Sequence, residues 1–193
     1  MLRTIETLNN EHDCNGQNVY LVCLDVVNLY GNIPHDDVIE AITYYYNKSD
    51  LAFVLPPLDA ILAVVNHVLG NNVFTFEDVV YKQTQGIAMG TPMAPTIANL
   101  VMGMLGERLL REFPVHIDPK LWKRFIDDVF SIFIGSNDDL LSFLFFVNTL
   151  HLTLKFTFHH STISESFLDL KIKLENGLLT TYSSGYMFGN KFL

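Results

Sequence analysis

The chain has 193 residues, 49% of them hydrophobic, and a formal net charge of −9. That length and apolar content give one domain with a sizeable core and exclude a disordered chain, while the acidic balance argues against a self-sufficient nucleic-acid binder, whose cationic face would have to lie elsewhere. Two cysteines, Cys14 and Cys23, offer no disulfide framework and fit a reducing compartment, no basic-plus-apolar leader opens the sequence, and every apolar stretch is broken well short of a membrane span.

Residues 1–17 are polar and aperiodic and read as a lead-in. Val19 to Leu24 is a short apolar run that predicts a buried strand with Asp25 at its C-terminal end. Asn28 to Pro34 contains Gly31 and Pro34 and predicts a tight turn. His35 to Lys48 predicts a helix, with Asp36, Asp37 and Glu40 in its first half, where the helix dipole favours acids. After Pro56-Pro57, Leu58 to Leu69 predicts a second helix that stops at Gly70-Asn71-Asn72. Val73 to Phe76 and Val79 to Gln83 read as a strand pair around Glu77-Asp78.

Gln85 to Pro95 carries two glycines four apart, Gly86 and Gly90, which let the backbone approach a ligand closely. Thr91-Pro92 reads as an N-cap and a first helical position. Ile97, Leu100, Val101, Met104 and Leu105 then repeat at helical spacing. A glycine loop thus leads into a helix N-terminus, a geometry suited to phosphate but more often met in plain capping. Asn137 to Leu150 predicts an amphipathic helix with Leu140, Leu141, Leu144 and Val147 inward. Leu154 to Phe158 and Phe167 to Leu174 alternate like strands, and Glu175-Asn176-Gly177 signals a hairpin turn before Leu178 to Tyr182. His159-His160 reads as a loop pair. The pattern predicts one α+β domain, short strands covered by helices on one face.

Within it, Arg124-Phe125-Ile126-Asp127-Asp128-Val129-Phe130 stands apart. Two apolar, β-prone runs flank Asp127-Asp128, which predicts a hairpin with the two acids at its tip. Asp-Asp is a poor two-residue turn. Adjacent carboxylates at ~4 Å and an effective dielectric near 20 repel by about 4 kcal/mol. A divalent cation would turn that repulsion into binding energy; a solvated acidic turn is the plain alternative. If the hairpin pairs beside the first strand, Asp25, Asp127 and Asp128 meet at one sheet edge. Oxygen-only donors select Mg²⁺ or Mn²⁺, and two such ions ~4 Å apart suit in-line nucleotidyl transfer.

Leu24-Asp25 to Pro34, Gly86 to Asn99 and Phe125 to Phe130 resemble, in order and spacing, the three palm motifs of reverse transcriptases. Asn28-Leu29-Tyr30, Asn32-Ile33-Pro34-His35, Ala88-Met89-Gly90-Thr91, Met93-Ala94-Pro95, Ala98-Asn99-Leu100, Lys155-Phe156-Thr157 and Phe167-Leu168-Asp169-Leu170 are similar to the Penelope-like retroelement branch. The resemblance implies a palm-like antiparallel sheet backed by helices, over residues 18–182. The lead-in 1–17 and a divergent tail 183–193 flank it, with fingers and thumb largely missing. It implies RNA-directed DNA synthesis with two Mg²⁺ ions (Mn²⁺ possible), an RNA template, a DNA primer and a dNTP, no membrane, and a nuclear location. Asp25 and Asp127 would bind metal, with Asp128 as the neighbouring acid and the Val26 carbonyl as a further ligand. The Leu29 and Tyr30 amides would face the triphosphate. The Tyr30 ring would gate against a ribose 2′-hydroxyl, and Met89-Gly90 would lie beside the incoming nucleotide. Asp169 would be structural in a primer-grip hairpin. Lys155 and Lys171 both remain candidates for the general acid. A catalytically inactive relic or interaction module is the alternative, and it would need none of the acids.

Overall fold

The structure is a computed structural model that describes residues 18–50, 53–113, 119–175 and 178–183. The expected lead-in, Cys14, the Asn176-Gly177 turn and all of the tail after Ser183 lie outside the described residues. The elements run β1 (Asn18–Val26), α1 (Leu29–Asn32), α2 (His35–Lys48), α3 (Leu58–Gly70), β2 (Val73–Phe76), β3 (Val79–Lys82), α4 (Ala94–Glu112), β4 (Leu121–Phe125), β5 (Asp128–Gly135), α5 (Asn137–Thr149), β6 (Phe156–Ser161), β7 (Ser164–Phe167), β8 (Leu170–Glu175) and β9 (Leu178–Ser183). This is the expected α+β class of helices and antiparallel sheet. The chain divides into two compact units, Met1–Asp25 with Phe113–Asn148 and Phe156–Leu193, and Val26–Glu112 with Thr149–Lys155.

The first unit is built on a four-stranded sheet in the order β4-β5-β1-β6 and a three-stranded sheet β7-β8-β9. β1 and β5 pair antiparallel with Val19 opposite Ile134, Leu21 opposite Ile132 and Cys23 opposite Phe130. Side chains alternate across a strand, so these residues share one face. There Val19, Leu21, Phe130, Ile132 and Leu121 form one apolar cluster with Phe167, Ile172 and Leu179 of the smaller sheet. On the opposite face Phe133 stacks on Phe143 of α5 at 5.7 Å between ring centroids, and Trp122 meets the same ring edge-on at 6.2 Å. Two-sided burial explains why β1 and β5 read as near-continuous apolar runs. Asn148 fastens the end of α5 to β6, accepting from Phe156 N–H at 2.8 Å and donating to its carbonyl at 3.1 Å.

In the second unit α2 packs on α4 and α3. Glu107 of α4 accepts from Tyr44 Oη at 2.6 Å, Tyr45 Oη at 3.2 Å and Lys48 Nζ at 2.7 Å of α2. β2 and β3 form the expected hairpin, with Glu77 and Asp78 at φ 47° and 60°, the left-handed pair that two-residue turns use. All eight of its strand residues are exposed. The 149–155 loop is tied down by His151. Its Nδ1 accepts from Leu154 N–H at 3.0 Å, which leaves the proton on Nε2, 2.6 Å from Asp37 Oδ2.

Several expected boundaries move. The turn at 28–34 contains the one-turn helix α1, entered from Asn28 at φ 47°. Thr91 is not the N-cap of α4: Ala94 N–H donates to the Thr91 carbonyl, and the Thr91 hydroxyl closes the preceding loop on the Ala88 carbonyl at 2.8 Å. On α5, Leu141 faces outward and Phe143 takes the inward place, in phase with Leu140, Leu144 and Val147. β6 starts at Phe156 rather than Leu154, because His151 takes the Leu154 N–H that a strand would pair. The run Phe167 to Leu174 is broken into β7 and β8 by a turn at Leu168-Asp169. His159-His160 lies inside β6, with His160 edge-on to Tyr20 at 5.9 Å.

Candidate active site

β1 and β5 bring the acids together. Leu24 is the last residue of the register, opposite Val129. Asp25 and Asp128 are therefore the next facing pair, on the same sheet face as Cys23 and Phe130. The hairpin closes one residue earlier than expected. Phe125 pairs with Asp128, so the two turn residues are Ile126 and Asp127, and Asp128 is already the first residue of β5. Ile126 adopts φ 52°, a left-handed conformation unfavourable for a β-branched side chain. Such a conformation costs on the order of 1–3 kcal/mol. Burial of one ring such as Phe130, fully enclosed in β5, resists truncation by ~3–5 kcal/mol, so the packed strand can hold the strained turn. Arg124 Nη1 braces it by donating to the Ile126 carbonyl at 3.0 Å.

The electrostatics follow from this placement. Burial raises the Asp128 pKa, and the charges of Asp127 and then Asp25 raise it further. Two neighbouring carboxylates thus act on Asp128, as in a cluster short of positive charge. Asp25 itself is exposed, and Asp127 and Asp128 are half-buried. Among the described residues no three His, Cys, Asp or Glu side chains already form a metal cage. The donor set still fits a hard divalent ion, because it is all carboxylate, and Mg²⁺ keeps several waters and substrate oxygens rather than requiring a full protein cage.

Asp25 and Asp128 open onto a depression of about 210 Å³, lined also by Cys23, Thr157, His159 and the Phe167-Leu168 end of the β7–β8 hairpin. Thr157 Oγ1 donates to the Asp25 carbonyl at 3.4 Å. Burial pushes the Cys23 thiol up to about 12, with Glu165 and Asp128 adding to it. It therefore stays protonated and donates to the Ser166 carbonyl at 3.3 Å. Sequence reasoning missed Cys23, Thr157 and His159 as lining groups. The alternation of β1 could have found Cys23, two residues before Asp25. His159 becomes visible only once β6 is known to neighbour β1.

Of the other expected site residues, Asp169 and Lys171 belong to the first unit and the rest to the second. Val26 and Leu29 are buried. Tyr30 is half-buried, and its carbonyl accepts from Ile87 N–H at 2.7 Å. Gly86, at φ 74°, is needed for close approach to protein rather than to ligand. A Cβ there would stand 2.6 Å from the Gly31 carbonyl oxygen and 2.7 Å from that of Tyr30. Met89 and Gly90 are exposed, and a Cβ on Gly90 would meet nothing within 4 Å. Lys155 Nζ donates to the His151 carbonyl at 2.8 Å, whereas Lys171 is the second residue of β8, opposite Ser166. A second depression of about 200 Å³ lies between α2, α4 and the 149–155 loop, lined by the Asp37–His151 pair and Arg108. None of the expected catalytic acids reaches it.

The family described as reverse transcriptase (RNA-dependent DNA polymerase) matches residues 1–164. No curated protein matches the chain. Among solved structures, apo telomerase from Candida tropicalis is similar with a TM-score of 0.72 at 13% identity, covering 97% of this chain and 36% of the telomerase chain. The form truncated from the C-terminal domain gives 0.68 at 14%, covering 94% and 38%. The telomerase in complex with the TWJ fragment of telomeric RNA gives 0.69 at 14%, covering 99% and 34%. The chain thus spans little more than a third of the proteins whose fold it shares.

Proposed function

This chain belongs to the reverse transcriptase family, and from that premise we propose that it is the palm of an RNA-directed DNA polymerase of the Penelope-like retroelement branch. The observation that carries the proposal is the β1–β5 register, which sets Asp25 against Asp128 with Asp127 in the adjoining turn. Members of the family generally use divalent metal ions. Here Asp25, Asp127 and the Val26 carbonyl would hold two Mg²⁺ ions, with Asp128 beside them. When bound, the ions supply charge neutralisation at the transferring phosphate. The chain's own part is positioning. Asp25 and Asp127 orient the primer 3′-hydroxyl toward the phosphate. The Leu29 and Tyr30 amides hold the triphosphate, the Tyr30 ring excludes a 2′-hydroxyl, and Met89-Gly90 borders the nucleotide. Lys155 and Lys171 both stay candidates for protonating the leaving pyrophosphate. The partners on this reading are an RNA template, a DNA primer and dNTPs, in the nucleus. Among the described residues no helix is long and apolar enough to cross a membrane.

Primer extension on an RNA template with Mg²⁺ tests the reading. Asp25→Asn and Asp127→Asn are each expected to abolish incorporation, and Tyr30→Ala to admit ribonucleotides. Incorporation that survives Asp25→Asn would sink the proposal. The alternative, an inactive interaction module, is favoured by the net charge of −9, which opposes nucleic-acid binding, and it predicts no incorporation by the wild-type chain.

A further inference from the structure

The Gly86–Ile87 peptide group is held at both of its ends. Its N–H donates to the Tyr30 carbonyl at 2.7 Å, and its carbonyl accepts from His35 Nε2 at 2.9 Å. A carbonyl can only accept, so His35 carries a proton on Nε2. Gly86 lies so close to the Tyr30-Gly31 backbone that a Cβ there would meet both carbonyl oxygens below 3 Å. Ile87 is buried and so is Gly86. A flip of this peptide would break both hydrogen bonds and turn the Gly86 carbonyl toward the Tyr30 carbonyl. His35, the first residue of α2, is half-buried. It reaches the loop because Pro34 fixes the backbone just before the helix, with φ −64° and ψ 148°.

We propose that His35 is a positioning residue: its imidazole fixes the orientation of the Gly86–Ile87 peptide and, through that peptide, the backbone at Tyr30 that selects the sugar of the incoming nucleotide. The selection step rests on the polymerase reading above; the clamp itself does not. His35 touches no reacting atom. Its loss should loosen nucleotide positioning and leave the acid cluster, which lies on other elements, unchanged.

The test uses the full chain as wild type, His35→Ala and His35→Gln, since Gln Nε2 can donate from nearly the same place. Amide hydrogen exchange is followed by NMR at Ile87 and, as a reference, at Leu21 in β1. Ile87 should exchange roughly three- to tenfold faster in His35→Ala, the size expected for one hydrogen bond, and return toward wild type in His35→Gln, with Leu21 unchanged. In parallel, extension of oligo(dA) on poly(rU) compares dATP with ATP. His35→Ala should raise KM for dATP several-fold at nearly constant kcat and lower the dATP preference, and His35→Gln should restore both. Unchanged protection of Ile87, or equal acceleration at Leu21, overturns the clamp. An active wild type whose His35→Ala variant keeps its KM and preference overturns the positioning role. A wild type that incorporates neither nucleotide overturns the polymerase reading, and the exchange measurement then decides the clamp by itself.

Discussion

Asp128 occupies a position where three influences act in the same direction. It is half-buried at the start of β5, Asp127 precedes it in the turn, and Asp25 faces it across the ladder. All three disfavour its charge, so its folded-state pKa lies above the value it has in the unfolded chain. The consequence for stability has a definite sign. Between those two values the folded chain holds a proton that the unfolded chain has released, so stability falls as pH rises through that window and stays lowered above it. Asp128→Asn is therefore expected to raise the melting temperature at neutral pH and to change little below the ordinary carboxylate range. Mg²⁺ should raise the wild-type melting temperature at neutral pH by binding the folded state, and should do so less in Asp128→Asn. Thermal melts of both proteins at two pH values, with and without Mg²⁺, check this. A variant that melts lower than wild type at neutral pH would mean that Asp128 serves the fold rather than the site.

At the scale of elements, α2 and α4 are joined by one carboxylate. Hydrogen bonds from Lys48 first, and then Tyr44, hold Glu107 below the usual range, against a smaller opposing effect of burial. A depressed carboxylate contributes stability above its unfolded pKa and loses it as pH falls through the lower folded value. Glu107 is largely solvated, so water screens much of this. Glu107→Gln should cost no more than a few degrees in melting temperature at neutral pH, with the difference closing in acid. A difference that persists in acid would assign the effect to packing rather than charge. α2, with its acids near the N-terminus, was legible from sequence, as were α3 and the β2–β3 hairpin, because each is specified locally by period and turn residues. The elements that sequence misplaced are those whose ends are fixed by individual backbone and side-chain hydrogen bonds rather than by period or turn residues. The turn at Ile126-Asp127 is set one residue early by the pairing of Asp128. β6 is trimmed by His151. Ile126 and Leu168, both at φ 52°, sit in turns that no propensity would give to an apolar residue. The meeting of Asp25 with Asp128 was legible because each ends or begins a strongly apolar strand; the pocket around them required the β1–β6 and β7–β8 neighbours.

For the molecule as a whole, charge limits how nucleic acid can be held. The chain has 12 Lys and Arg against 21 Asp and Glu, and several of the basic groups are already engaged: Lys48 with Glu107, Arg108 with Glu112, and Lys173 with Glu175. Each phosphate that a protein neutralises contributes about −0.9 to the slope of log affinity against log salt for a duplex. On the polymerase reading a palm meets the primer terminus and the nucleotide at one point, and among the described residues several cations are already held by acids rather than spread along a backbone. The expected slope for an RNA–DNA hybrid is therefore shallow, about −3 or flatter, with weak absolute affinity. Fluorescence anisotropy of a labelled hybrid between about 50 and 200 mM salt measures it. The telomerases that share this fold are nearly three times as long as the stretch that matches. If the shallow slope is found, the rest of a polymerase built on this palm must carry the phosphate contacts, and Asp25→Asn should abolish incorporation while leaving hybrid affinity almost unchanged. A steep slope would mean instead that the few basic side chains are gathered on one face, and that this chain grips its template without help.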